Sequence, residues 1–367
     1  MLEINHIRKR PGMYIVTLGN GSHESHGIYN LLKIVFFSLV RQFRAGITDE
    51  IAITIQDDRS VTICYPSTDI EYIEIIEALS CSYEIVTENG FTRLSFTPDE
   101  TIFEEFSFRE HTVFHLLRSY CHANRGLIIR YDGTKLAAPD GLLDLAMEKM
   151  SSPNGYLYPV INLQGKGFEI AFTHNKYSEA ETYYSFVNGI KTEGGSHLEA
   201  LKEAVVRIIA ETFPENDFTT EDILKGIFLT ISVDIAEPVF SQSCRGVLVS
   251  SRVSPDGPEL TDFIYESISA ELSAYFEANP ETVKQLQACI SRSKGNRLQL
   301  EKYLSMTPQE LVDIWNDTEH PSSIGTRWLI IDAFLAKGIK TISIQRSGAH
   351  LNGSRISYDE ENNRIQC

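Results

Sequence analysis

No apolar run in this 367-residue chain approaches the length of about 18 residues that a membrane-spanning helix needs. The opening MLEINHIRKRPGMY has no apolar centre of the kind a secretory signal carries. Paired cysteines are also missing. Cys64, Cys81, Cys121, Cys244, Cys289 and Cys367 are scattered without a C-x-x-C. That pattern excludes a disulfide framework and predicts reduced core thiols in a cytoplasmic protein. Positive charge is scarce: 33 Lys and Arg against 50 Asp and Glu leave a net charge of −17. A general electrostatic grip on DNA is thereby excluded, so any relation to DNA is expected to be indirect or through a local basic patch. No nucleophile elbow occurs, nor a basic stripe interleaved with aromatics. His23-x-x-His26 has only Glu24 beside it and reads as loop histidines rather than half a metal site. No metal ligands are therefore expected.

What is present centres on HGIYNLLKIVFFSLVRQFRAG, His26 to Gly46. Ile28, Leu31, Leu32, Val35, Phe36, Leu39, Val40 and Phe43 recur at the spacing of a core-facing helix, with Ser25 as the expected N-cap. Asn30, Ile34, Phe37, Ser38 and Arg41 lie along a second face. Ile34 and Phe37 are large and apolar there, so that face is either covered by another element or lines a cavity.

Ahead of this helix, IRKRPGMYI reads as a solvated basic loop broken by Pro11-Gly12. After it come a hairpin over 50–65, a helix over 70–80, and strands over 83–87 and 91–96. A helix over 108–122, a strand over 126–131 and a helix over 142–150 follow. Ser151 to Gly155 reads as a linker. Strands over 158–163, 168–174 and 181–187 then precede a helix over 198–213, with Ser196 and Glu199 as a capping box. Gly194-Gly195 ahead of it reads as a structural turn rather than a phosphate cradle. A short helix capped at 220–222, a strand over 227–235 and a helix over 260–278 complete the second part. Hairpins mixed with helices in this way predict α+β rather than a doubly wound parallel sheet. The tail holds a helix capped at Thr307-Pro308, a buried segment over 328–335 and a hairpin around Leu351-Asn352-Gly353.

Three stretches in order resemble the B subunits of bacterial DNA gyrase and topoisomerase IV. They are IRKRPGMYI with the Gly27 helix, YYSFVNGIKTEGGSHLEALKEAV, and TTEDILKGIFLTISVDIAEPVFSQSCRGVLVSSRV. The resemblance runs from about Ile7 to about Tyr303. It implies a GHKL-like, Bergerat-type ATPase domain over 1–152 and a ribosomal S5-like transducer over 153–304. Residues 305–367 are left as an extension of unassigned role. The family's Toprim motifs, an acidic Glu-Gly-Asp-Ser cluster and an Asp-x-Asp pair, do not occur in this sequence.

The family's chemistry is where the sequence departs. Its helix carries a water-activating Glu, then a Mg²⁺-holding Asn, then an Asp. Here those places hold Ile34, Ser38 and Arg41, and Ile34 cannot act as a base. Tyr65 stands near the place of the adenine-reading Asp, and no Asp-Gly-x-Gly follows. The glycine-rich lid that wraps phosphates is missing between 65 and 70. Thr92 matches the threonine behind the adenine, and Arg245 stands where the transducer places a lysine on the γ-phosphate. Ser38, Tyr65, Thr92 and Arg245 are thus the expected remnants of a nucleotide site, with an ordinary strand Thr and a solvated loop Arg as the plainer reading of the last two.

The resemblance therefore implies a degenerate relative with no catalytic residue and no cofactor, working through contact with a type II topoisomerase subunit or a second copy. Its alternatives are a topoisomerase subunit that keeps ATP and Mg²⁺ binding, and an acidic inhibitor of a DNA-binding partner. Ile34, Phe37 and Tyr65 are expected to fill the former cavity. Few residues precede IRKRPGMYI, so self-association is expected to be independent of nucleotide.

Overall fold

The computed structural model describes residues 4–66, 70–150, 155–241, 246–317, 323–341 and 355–366. The chain forms two compact units, Met1–Thr212 with Gly226–Val283, and Phe213–Lys225 with Lys284–Cys367. Residues 151–154 of the expected linker Ser151 to Gly155, the residues 242–245 and the tip around Leu351-Asn352-Gly353 lie outside the described residues.

The first unit opens with α1 (Ile4–Lys9) and α2 (Gly12–Ile15). IRKRPGMYI is therefore not a solvated loop. Ile7 and Ile15 are fully buried, and Arg8 donates to the Ala78 carbonyl at 2.7 Å and to Asp99 at 2.5 Å. The two buried isoleucines, one on each short helix, anchor the stretch and set Arg8 against the fold, while Lys9 and Arg10 stay exposed. Helix α3 (Gly27–Arg44) follows the predicted rhythm, and its apolar positions from Ile28 to Val40 are buried. Its N-cap is His26, not Ser25, because the Ser25 hydroxyl is bonded to the His23 ring at 2.8 Å.

Around α3 stand β1 (Glu50–Gln56), β2 (Ser60–Tyr65), α4 (Ile73–Ala78), β3 (Ser80–Glu88) and β4 (Phe91–Pro98). They are followed by α5 (Glu110–Ala123), β5 (Ile128–Tyr131) and β6 (Thr134–Leu136). The sheet order is β3-β4-β2-β1-β5-β6. All neighbours are antiparallel except β1 and β5. Val61, Ile63 and Tyr65 alternate inward on β2, as do Thr92, Leu94 and Phe96 on β4. They meet α3 and α5 in one core, where Phe36 stacks on Tyr120 with ring centroids 4.8 Å apart. Strand β6 is not foreseen by the sequence pattern because three residues are too few for a period-2 signal.

Next come α6 (Leu142–Lys149), β7 (Ile161–Gly165), β8 (Phe168–His174), β9 (Thr182–Val187), β10 (Ile190–Thr192) and α7 (Ser196–Thr212). Helix α8 (Thr220–Leu224) belongs to the second unit, and β11 (Ile227–Val233) and α9 (Leu260–Ala278) return to the first. Here the sheet order is β10-β9-β11-β8-β7. Strand β11 is buried along its whole length between β9 and β8, which explains its unbroken apolar run. Leu142, Leu145 and Ala146 of α6 pack on this second sheet with Ala171, Phe186 and Phe228. Ser196 is inside α7 rather than its cap, and its hydroxyl donates to the Ser250 carbonyl.

In the second unit, Thr219 and Asp222 form the capping box of α8. Arg297 of α10 (Pro280–Leu304) donates twice to Asp222, both at 2.9 Å. Helices α11 (Pro308–Asn316) and α12 (Ile324–Ala336) and the hairpin β12 (Ser357–Asp359) and β13 (Arg364–Gln366) enclose a small core. Thr307 caps α11 as predicted. The predicted buried segment is only half so: Ile330, Ile331 and Phe334 are buried, but Trp328 and Leu335 are exposed. The apolar side chains of α12 run all round it, and Trp315 fills the core instead.

Among the described cysteines, only Cys121 is fully buried, while Cys81 is exposed, so the expectation of core thiols holds for Cys121 alone. Burial pushes the Cys121 thiol up to about 12. No helix among the described residues is long and apolar enough to cross a membrane.

Candidate functional site

Along the second face of α3, Asn30, Ile34 and Ser38 are buried, Phe37 is partly buried and Arg41 is exposed. Gly27 starts the helix because a Cβ there would lie 1.9 Å from the Thr17 carbonyl oxygen. Asn30 donates to the Ile15 carbonyl at 2.7 Å, and the Tyr29 hydroxyl donates to the Gly21 carbonyl at 2.8 Å. These bonds tie the N-terminal segment to α3. One turn further, Ile34 joins the apolar core. The Ser38 hydroxyl accepts the Glu71 N–H at 2.9 Å, and Arg41 forms an ion pair with Glu71. The lead-in to α4 thus lies directly over this face. At positions 34, 38 and 41 the helix offers an apolar side chain, a hydroxyl already accepting, and a guanidinium held by a carboxylate. None is a carboxylate or amide oxygen of the sort a hard cation prefers.

Tyr65 and Thr92 are brought together as register partners on β2 and β4. Both are 1% exposed, and the Thr92 hydroxyl lies 3.0 Å from that of Thr87. Ile34 and Tyr65 sit in the same core cluster, and the partly buried Phe37 packs against it. Arg245 lies outside the described residues, as does 67–69, the stretch just after β2.

Two features escape the sequence pattern. The first is a cavity of about 150 Å³ on the neighbouring side of α3, lined by Lys33, Phe37, His115, Tyr120, Lys191 and Glu193 among others. Its signal is the spacing of Lys33 and Phe37, and of Thr112, His115 and Ser119, at about one helical turn. Partial desolvation, then Lys149 and His111, lower the pKa of the exposed His115. The second is a polar cluster between α5 and α6. His122 is buried with Nε2 3.0 Å from Glu148, and Arg118 also binds that carboxylate. Burial alone would push Glu148 up, but the bonds from His122 and Arg118 outweigh it and hold it at about 2.

The Gly194-Gly195 turn is structural, as expected. A Cβ on Gly195 would lie 2.3 Å from the Leu248 carbonyl oxygen, and the Ser196 N–H donates to that same oxygen at 3.1 Å. His197, just beyond, is fully buried, and burial drops its pKa to about 4. The His23–His26 pair belongs to loop bonding, and no group of three or more metal-ligating side chains occurs among the described residues.

A mixed six-stranded sheet with α3 across it, followed by a second sheet with α7 and α9, is the fold of solved gyrase B ATPase regions. Known proteins agree: the chain is related to the B subunits of DNA gyrase and topoisomerase IV. Residues 142–304 match the family model described as DNA gyrase B. The chain is 29% identical over 304 residues to the DNA topoisomerase 4 B subunit of Borreliella burgdorferi, covering 67% of this chain and 50% of that one. It is 25% identical over 363 residues to the DNA gyrase B subunit of Clostridium acetobutylicum, covering 76% and 55%. The chain thus spans about half the length of the curated relatives it matches. Among solved structures, the gyrase B subunit of Myxococcus xanthus aligns with a TM-score of 0.63 at 19% identity, covering 77% of this chain and 99% of that one. The 43K ATPase domain of Thermus thermophilus gyrase B, solved with an aminocoumarin, aligns at 0.61 and 20%, covering 82% and 96%. These likenesses establish the fold.

Proposed function

We propose that this chain is a gyrase B-like protein whose nucleotide site has been turned into packing, and that it acts by contact with another protein. The candidate partners are a type II topoisomerase subunit or a second copy. Residues 153–304 are read as the transducer, and the role of 305–367 stays open. The observation that carries this reading is the Ser38–Glu71–Arg41 arrangement. The three α3 positions where the family resemblance puts a base, a cation ligand and an acid are held by the core and by the approach to α4. Mg²⁺ and ATP do not fit that donor set. Tyr65, paired with Thr92 in the sheet, adds bulk where the adenine-reading carboxylate is expected.

Steady-state hydrolysis with ATP and Mg²⁺ tests the reading. The expected rate is indistinguishable from buffer and unchanged by omitting Mg²⁺. A Mg²⁺-dependent turnover that is lost when Ser38 is replaced by Leu would refute it.

A further inference from the structure

Strand β3 is nine residues long and stands at the edge of the first sheet. Its backbone pairs with β4 alone among the described residues. Every second residue therefore turns an N–H and a C=O outward with no strand to receive them. Exposed edges are usually blunted by Lys, Pro or shortness. Residues 80–88 contain no Lys and no Pro, and the strand's one irregularity is at its start, between Ser80 and Ser82. Tyr83 and Ile85 pair with the buried Phe96 and Leu94, so they share the sheet's apolar face, yet Ile85 is 41% exposed.

The charge carried by the edge segment itself has one sign. From 70 to 88 the chain carries Glu71, Glu74, Glu77, Glu84 and Glu88, and no Lys or Arg. Helix α4 packs against β3, and burial, then Glu77 and Glu74 of α4, raise the Tyr83 phenol. Arg41 engages Glu71, and Arg93 stands 3.7 Å from Glu84. Basic α1 packs against α4, with Arg8 taken by Asp99 and with Lys9 and Arg10 exposed. Glu74, Glu77 and Glu88 have no ion-pair partner among the described residues.

We propose that the outer edge of β3, flanked by the acids of α4, docks an extended, Lys- or Arg-bearing segment of a partner protein as a further strand. The inference deepens the protein-contact reading above by naming the partner's chemistry. Backbone bonding supplies affinity, Tyr83 and Ile85 receive alternate apolar side chains, and the acids select positive ones. A second copy is the poorer occupant, because pairing β3 with itself would bring both sets of five glutamates together.

The test titrates the whole chain with a labelled peptide alternating lysine and valine, and with its glutamate–valine counterpart. The lysine peptide is expected to bind at least tenfold tighter, to weaken steeply with salt, and to slow hydrogen exchange at amides within 82–88. The double variant Glu77→Lys with Glu88→Lys, checked for folding by circular dichroism, is expected to lose tenfold or more. Equal binding of the two peptides, protection elsewhere than β3, or an unmoved double variant would overturn the proposal. So would β3 amides already protected in a dimer without peptide. An ATP analogue added to the same sample reports on the nucleotide reading separately, since its binding would contradict that reading and leave the edge result untouched.

Discussion

Val16, on the first unit, has a strained backbone. It has φ +65° and ψ −59°, and the Thr17 N–H donates to the Ile15 carbonyl at 2.8 Å, closing a three-residue turn. A β-branched side chain at positive φ is disfavoured by about 1–3 kcal/mol. Val16→Gly is therefore expected to stabilise the chain by about 1 kcal/mol after the extra chain entropy of glycine, read as a raised urea midpoint at unchanged slope. Ile34 sets the opposite test. Its side chain is 7% exposed in the core, so Ile34→Ala should cost about 2–4 kcal/mol in the same titration. A cost under about 0.5 kcal/mol would mean that Ile34 faces an open cleft instead. The residue identities at 34, 38 and 41 are legible in the sequence, but their partner is not. Nothing in the spacing announces that Glu71, 33 residues on from Ser38, closes over it.

At the scale of elements, α7 carries a buried histidine whose titration has a defined sign. His197 is neutral in the folded chain down to about 4, against 6.5 unfolded. Its contribution is complete above about pH 6.5. As pH falls from there toward about 4, the unfolded chain takes up a proton that the folded chain refuses. Stability should therefore drop by up to about 1.4 kcal/mol per pH unit across that window. Glu148 acts in a lower window: its bonded carboxylate stabilises above about 4.5, and that contribution is lost as pH falls through about 2. Unfolding titrations at pH 7, 6 and 5 check this, and His197→Gln should flatten the profile between 6.5 and 4.5. An unchanged slope in that variant would assign the loss to another group. Most elements are readable because long periodic segments such as α3 and α9 bury one stripe, and β11 is apolar throughout. Helix starts are less readable. Ser25 and Ser196 have the chemistry of caps, but a local bond to His23 and a tertiary bond to Ser250 claim their hydroxyls.

For the whole molecule, the net charge of −17 and the acidic edge at β3 point to protein contact, not to a direct grip on nucleic acid. The apolar stripe of α9, made of Leu260, Ile264, Ile268, Leu272 and Phe276, is buried and so is not available as a dimer surface. Any association must then use other surfaces. A ligand moves such an equilibrium only by its differential affinity for the two states. The sedimentation profile is accordingly expected to be the same with and without an ATP analogue. The most direct measurement is isothermal calorimetry of the whole chain with a non-hydrolysable ATP analogue and Mg²⁺. The account predicts no saturable heat up to millimolar ligand, the range where binding is worth only about 4 kcal/mol. A stoichiometric isotherm with micromolar affinity, weakened when Mg²⁺ is chelated, would contradict it.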